Sequence, residues 1–104
     1  MLKNKTKFNE FCKKRNAFSL KTFGSPEVRP CTEPLTHLLE EVQELIDNPD
    51  DELEWADCLL LLLDAAWRKG HTVDDLVKFA ERKLKINKKR NWTKHPNGVF
   101  KHVK

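Results

Sequence analysis

Residues 37–57 read HLLEEVQELIDNPDDELEWAD and contain two acidic motifs, Glu41-x-x-Glu44 and Glu54-x-x-Asp57, separated by a turn. Residues three apart lie on one face of a helix, so each motif presents a pair of carboxylates. At a rise of about 1.5 Å per residue, the two pairs stand at similar heights on facing antiparallel helices. Carboxylates gathered in one seam repel each other unless a cation lies among them. Oxygen-only ligands suit Mg²⁺ or Mn²⁺ rather than Zn²⁺.

The turn and its flanking helices are also indicated by this stretch. We expect a helix from about Leu35 to Asp47, then Asn48 as N-cap and Pro49 as the first residue of a helix that continues to Lys69. A Glu-x-x-Glu motif is common on solvated helix faces, so a purely electrostatic seam remains the alternative to a metal site. His37 lies four residues before Glu41 and so on the same side, where a surface or packing role is the favoured interpretation.

The composition predicts one small all-α domain. The chain has 104 residues, 35% of them charged, with no Tyr and only three Gly. Three cysteines without a C-x-x-C spacing indicate a reduced, cytoplasmic protein rather than a disulfide framework. The leucine run at 59–63 is too short to span a bilayer, so we expect no membrane partner.

The rest of the chain is predicted to form two more helices, a loop and a tail. Residues 1–18 form an N-terminal amphipathic helix, and residues 19–34, with one Gly and three Pro, form an irregular segment. Such a long connection is either a binding loop or a plain connector. A last helix is expected from Thr72 to about Arg90, followed by a basic tail at 91–104 that packs on the body or is partly disordered.

The middle of the third helix points to an assembly. Leu59 to Leu63 place leucine all around the helix axis, and a helix that is apolar all round must be buried all round. One small chain has too few other helices to cover it, so we expect a homodimer or homotetramer. Trp55 and Trp67 are interpreted as core or interface residues.

Taken together, the motifs resemble those of the MazG-like, all-α nucleoside triphosphate pyrophosphohydrolases. They are EEVQEL at 40–45, ELEWAD at 52–57, and Lys83-x-x-x-Asn87-x-x-Arg90 followed by Trp92. The segment FSLKTFG at 18–24 and the NKKRNW sequence look most like the dATP/dGTP pyrophosphohydrolase (MazZ-like) branch, found in phages and bacteria. The resemblance covers residues 18–102. The gap between Glu44 and Glu54 is shorter than is usual for MazG proteins, so the turn must be tight.

The resemblance implies a single MazG-like domain over residues 1–104, a helical bundle completed by oligomerisation. It also implies an enzyme that hydrolyses purine deoxynucleoside triphosphates, dGTP first and also dATP, to the monophosphate and pyrophosphate by attack of metal-activated water at the α-phosphorus. Two or more Mg²⁺ or Mn²⁺ ions per site would be held by Glu41, Glu44, Glu54 and Asp57. Glu40 would be a substitute ligand or a general base. The implied substrate-binding residues are Lys83, Asn87 and Arg90 for the phosphates and sugar, and Phe23 and Trp92 for stacking on the base.

Three alternatives stay open at this point. One is a pyrimidine-specific all-α dNTP pyrophosphatase. Another is a helical protein that binds nucleic acid through the basic 82–104 segment, although no base-reading pattern supports it. The third is a helical interaction module without catalytic activity. An enzyme of nucleotide metabolism is expected in the cytoplasm, which is the host cytoplasm if a phage encodes the chain.

Overall fold

The computed structural model describes the backbone of residues 2–94 and 100–103 and the side chains of residues 7–90. The helices are α1 (Leu2–Phe23), α2 (Thr32–Asp47), α3 (Glu52–Lys69) and α4 (Val73–Lys89), and the strands are β1 (Asn91–Lys94) and β2 (Phe100–Val103). The chain forms two compact units, Met1–Val73 and Asp74–Lys104. Among the described helices, none has the length and apolar content needed to cross a membrane.

The first unit is built around a hairpin of α2 and α3, and α3 also packs against α1. The turn at residues 48–51 is as tight as the sequence required, but its caps differ from the prediction. Asn48 is the C-cap of α2, its backbone N–H donating to Glu44 O at 2.9 Å. The N-cap of α3 is Asp51, whose carboxylate accepts a hydrogen bond from Leu53 N at 3.0 Å. The prediction of Asn48 as N-cap and Pro49 as the first helical residue was therefore wrong.

The segment between α1 and α2 is shorter than predicted. Helix α1 continues to Phe23 and α2 begins at Thr32, so the irregular part is residues 24–31 rather than 19–34. Gly24 ends α1 with a left-handed φ of 97°, and its N–H donates to Leu20 O at 3.1 Å. Glycine adopts this conformation without a steric penalty, which is why the helix ends here and not at the serine at position 19.

The tail at 91–104 contains a β-hairpin that the sequence did not predict. Strands β1 and β2 pair antiparallel, with Asn91 opposite Val103 and Lys94 opposite Phe100. Helix α4 begins one residue after Thr72, as expected, and ends at Lys89. The two strands are short and leave the helical character of the chain unchanged.

The core of the chain is small. Within the described side chains, the buried hydrophobic residues are Leu63, Ala65 and Ala66. Leu59 and Leu62 are 52% and 47% exposed, so α3 is not buried all round by its own chain. Large apolar side chains of α4, such as Val77 and Leu84, are also exposed. A single chain therefore leaves much apolar helix surface open to solvent.

Candidate active site

The hairpin brings three of the predicted carboxylates together. Glu41 and Glu44 come from α2 and Glu54 from α3, and each offers a carboxylate oxygen within 4.8 Å of the others. They meet because the tight turn places these positions at matching heights on antiparallel helices. Asp57, one turn further along α3, lies outside this group, and Glu40 is exposed on α2. We call Glu41, Glu44 and Glu54 the acidic cluster.

Two members of the acidic cluster, Glu41 and Glu54, have raised pKa values. Burial raises the pKa of Glu54, and the charges of Glu44, Asp51, Glu41 and Asp57 raise it further. The pKa of Glu41 is raised by its hydrogen bond with Glu44, by burial and by the Glu44 charge. Within the described residues, the Oε2 atom of Glu54 is buried and has no hydrogen-bond partner. An unpaired buried carboxylate oxygen is costly, so this arrangement favours a cation at the cluster.

His37 contacts the acidic cluster directly. Its Nε2 lies 3.0 Å from Glu41 Oε1, within hydrogen-bond distance. His37 is exposed, in agreement with the surface role favoured by the sequence, and it also has a partner in the cluster. Because the two residues are one turn apart on α2, the contact fixes the orientation of the Glu41 carboxylate.

A cavity of about 200 Å³ lies beside the cluster. Its lining includes Phe23, Arg29, Glu33, His37, Asp64 and Arg68. Phe23 is 47% exposed and packs edge-on against Phe18 with ring centroids 5.9 Å apart. The 24–31 segment forms one wall of this cavity, since Arg29 belongs to it and Phe23 and Glu33 flank it.

Sequence reasoning missed a buried ionic network behind this cavity. Asp64 pairs with Arg15 through Oδ1 at 2.8 Å and with Arg68 through Oδ2 at 2.9 Å. It also accepts a hydrogen bond from Ser19 Oγ. Although burial acts to raise the pKa of Asp64, the hydrogen bonds from Ser19, Arg68 and Arg15 together lower it. The available signal was the spacing of four between Asp64 and Arg68 in an otherwise apolar helix, which allows an intrahelical pair.

The predicted phosphate-binding residues lie in the second unit. Lys83 is exposed and Asn87 half-buried on α4, and Arg90 follows the end of the helix, its N–H donating to Asn87 O at 3.2 Å. Lys83 and Asn87 lie four residues apart on α4, as predicted, and Arg90 lies three residues after Asn87, directly after the helix. The Trp92 backbone belongs to β1, but its side chain lies outside the described residues.

The comparison with protein families decides which group this site belongs to. The sequence model of the dATP/dGTP pyrophosphohydrolase family matches residues 11–104. The chain belongs to the dATP/dGTP pyrophosphohydrolase family. The resemblance inferred from the ordered motifs is thereby confirmed.

Relatives of this dATP/dGTP pyrophosphohydrolase family member come from phages. A dATP/dGTP diphosphohydrolase of cyanophage S-2L is 40% identical over 81 residues, which are 76% of this chain and 73% of that protein. The Eaa protein of Salmonella phage P22 is 42% identical over 58 residues, which are 55% of this chain and 18% of that protein.

A solved structure shares the fold of this family member. It is the cyanophage S-2L MazG-like pyrophosphohydrolase bound to dGDP and three catalytic Mn²⁺ ions per active site. The match has a TM-score of 0.75 and 32% identity, and covers 92% of this chain and 96% of that one. The prediction of an all-α, MazG-like fold is confirmed.

Proposed function

We propose that this chain hydrolyses purine deoxynucleoside triphosphates, dGTP and dATP, to the monophosphate and pyrophosphate. The observation that carries this proposal is the acidic cluster, in a chain whose family and relatives are named for dATP/dGTP hydrolysis. Water attack at the α-phosphorus forms one P–O bond as the bond to the departing pyrophosphate breaks.

The residues of the acidic cluster fit Mg²⁺ or Mn²⁺. Their donor set is carboxylate oxygen only, which hard divalent ions prefer. The Oε2 atom of Glu54 is buried without a partner among the described residues, and the pKa of Glu54 is raised by burial and then by the neighbouring carboxylates, which supports a cation at this position. The related cyanophage enzyme holds Mn²⁺. We therefore assign the ligands as Glu41, Glu44 and Glu54, with Asp57 as a fourth.

The protein groups of the site have separable tasks. Divalent ions bound there would lower the pKa of a coordinated water and neutralise charge on the triphosphate. His37 orients the Glu41 carboxylate through the contact at 3.0 Å. Glu40, exposed on α2 next to the cluster in sequence, is our candidate for the base that accepts a proton from the attacking water.

Substrate recognition is assigned in two parts. The cavity beside the cluster has an aromatic ring, Phe23, at its edge, and we assign it to the nucleobase. Its volume of about 200 Å³ is on the scale of a single base, with the remainder of the nucleotide extending to the cluster. Lys83, Asn87 and Arg90 are assigned to phosphate and sugar on the basis of their types and spacing, and Trp92 to base stacking.

The assembly is proposed to be a homodimer or homotetramer. The exposed leucines of α3 and Trp55, at 60% exposure, support this, because such apolar surface is normally covered. Free cysteines and a nucleotide substrate support a cytoplasmic location, that of the host if the gene is a phage gene.

A nucleotide panel with Mn²⁺ or Mg²⁺ tests the proposal. The expected products are monophosphate and pyrophosphate, with the highest kcat/KM for dGTP, then dATP, and lower values for dCTP and dUTP. Chelation of the metal should abolish turnover, and Glu54→Gln should do the same, whereas the exposed Glu10→Gln serves as a matched control and should not. Release of single phosphates, or no turnover, would contradict the reaction; a pyrimidine preference would contradict the base assignment alone.

A further inference from the structure

Arg68 ties three parts of the first unit together behind the cavity. Its Nε donates to Asp64 Oδ2 at 2.9 Å and its Nη2 to Ser19 Oγ at 2.8 Å. Its Nη1 donates to two backbone carbonyls of the 24–31 segment, Arg29 O at 2.9 Å and Ser25 O at 3.3 Å. Four of the five guanidinium N–H groups are thus committed within the protein.

The guanidinium is enclosed and its charge is compensated. The Arg68 side chain is 1% exposed, and Asp64 supplies the counter-charge at the opposite edge from the segment. The ring of Trp67 adds a cation–π contact, with the Arg68 Cζ atom 5.3 Å from the ring centroid. A group with these hydrogen bonds is held in place within the protein while it forms part of the cavity lining.

The 24–31 segment depends on this residue. Its own bonds are local: Val28 N and Arg29 N both donate to Ser25 O, at 3.0 and 2.9 Å, and the Arg29–Glu33 ion pair is exposed. From outside the segment, the Arg68 side chain donates to its backbone at two carbonyls, Ser25 O and Arg29 O. The planar guanidinium of Arg68 therefore ties the middle of the segment to α3.

We propose that Arg68 is a positioning residue that holds the 24–31 segment as a wall of the cavity and thereby sets affinity for the nucleoside and the preference among bases. This inference rests on the proposed function, because it takes the cavity as the site of the base. Arg68 acts through Arg29 and its neighbours in the segment, and its hydrogen bonds go to Asp64, Ser19 and this segment rather than to the acidic cluster.

Arg15 provides a matched control within the same network. It is buried, pairs with the same Asp64 carboxylate at 2.8 Å, and lies 5.6 Å from the centroid of the same Trp67 ring. It has no hydrogen bond to the 24–31 segment in the described structure. Changes at either arginine should destabilise the ion pairs around Asp64. Changes at Arg68 should in addition displace the 24–31 segment.

The test compares Arg68→Met, Arg68→Lys and Arg15→Met below the melting temperature of the least stable variant. We expect both changes at Arg68 to raise KM for dGTP by about 10-fold or more with a much smaller change in kcat, and to reduce the preference for dGTP over dCTP. Arg68→Lys keeps a positive charge for Asp64 but lacks the planar fork, so it reports on the segment even if Arg68→Met does not fold. Arg15→Met should lower the melting temperature with KM and base preference near those of the wild type.

Amide hydrogen exchange supplies a readout independent of activity. Exchange at residues 24–31 should accelerate in both Arg68 variants and not in Arg15→Met. Equal KM values in the Arg68 and Arg15 variants, or unchanged exchange in the segment, would overturn the role of Arg68. An inactive wild-type protein would contradict the proposed function instead, and the exchange experiment would still judge whether Arg68 holds the segment.

Discussion

At the scale of single residues, the acidic cluster combines a functional requirement with an energetic cost. Glu54 is surrounded by like charges and carries a buried oxygen without a partner among the described residues. Because these surroundings raise the pKa of Glu54, the charged form of this carboxylate destabilises the folded protein. In the proposed metal site, a bound divalent ion would remove this repulsion.

Replacing a ligand should therefore separate activity from stability. Glu41→Gln and Asp57→Asn are each expected to lower kcat/KM by about 100-fold or more, since even groups behind metal ligands contribute 10–100-fold. In the absence of metal, Glu41→Gln should melt at a higher temperature than the wild type, because one repelling charge is gone. Steady-state kinetics with Mn²⁺ and thermal melts with chelator measure the two effects. Near-normal turnover in both variants would refute the ligand assignment.

Asp64 shows a pKa shift in the opposite direction from that of Glu54. Its pKa is lowered below the ordinary value of 3.8, so its ion pairs stabilise the fold above that pH, and the contribution is lost as the pH falls through the lower folded value. Asp64→Asn leaves two buried arginines without their partner and should cost roughly 3–5 kcal/mol at pH 7. Chemical denaturation should show that the difference in unfolding free energy between Asp64→Asn and the wild type becomes smaller at acidic pH. Asp50→Asn, at an exposed position, is the control. A difference in unfolding free energy that does not change with pH would contradict the stabilising role of the Asp64 ion pairs.

At the scale of elements, local signals predicted where helices lie better than how they begin. The sequence correctly predicted the end of α2 at Asp47 and the end of α3 at Lys69. The N-cap of α3 was misassigned because Asn48 and Asp51 are both good N-cap residues. In the structure Asn48 ends α2 and Asp51 begins α3. The seam of Glu41, Glu44 and Glu54 was predictable because it depends on helical rise alone. The Arg68 network was not, because it depends on how α1 and the 24–31 segment pack on α3.

The cap assignment itself is testable. Asp51→Ala removes the acceptor of the Leu53 N–H and should cost about 1 kcal/mol of unfolding free energy. Asn48→Ala should cost less, because Asn48 acts through its backbone N–H, which alanine retains. Urea denaturation of the two variants under identical conditions gives the comparison. A larger loss for Asn48→Ala would restore the assignment made from the sequence.

At the scale of the whole molecule, the exposed apolar surface is the main feature that one chain does not explain. Leu53, Leu59 and Leu62 on α3 and Ile46 on α2 are all 47% exposed or more. The leucine run in the sequence predicted that one chain cannot cover α3 on all sides, and in a single chain several of these leucines are exposed. Covering this surface by a second copy would complete the bundle, as expected for a chain with so small a core.

Leu62→Lys is expected to break this assembly without unfolding the chain. The side chain is 47% exposed in one chain, so a lysine there is tolerated by the monomer and buried unpaired at an interface. Leu61→Lys, at a half-buried position, should be more damaging to the chain itself. Light scattering should give a mass of at least two chains for the wild type and a lower mass for Leu62→Lys, with helical content kept. Leu63→Lys, at 8% exposure, is the control that should unfold. A wild-type monomer of 12.2 kDa would refute the interface.

The tight turn at residues 48–51 also has a consequence for how the protein folds. It joins Glu44 and Glu54 through a short stretch of chain, so the α2–α3 hairpin is a local structure of the kind that forms early. The like charges of the cluster must then come together before much of the molecule has formed, which raises the folding barrier. A divalent ion present during refolding should lower that barrier and accelerate folding, in addition to slowing unfolding. Stopped-flow refolding with and without Mn²⁺ would measure this effect. A faster refolding rate with Mn²⁺ would mean that the metal helps to form the hairpin that carries its proposed ligands.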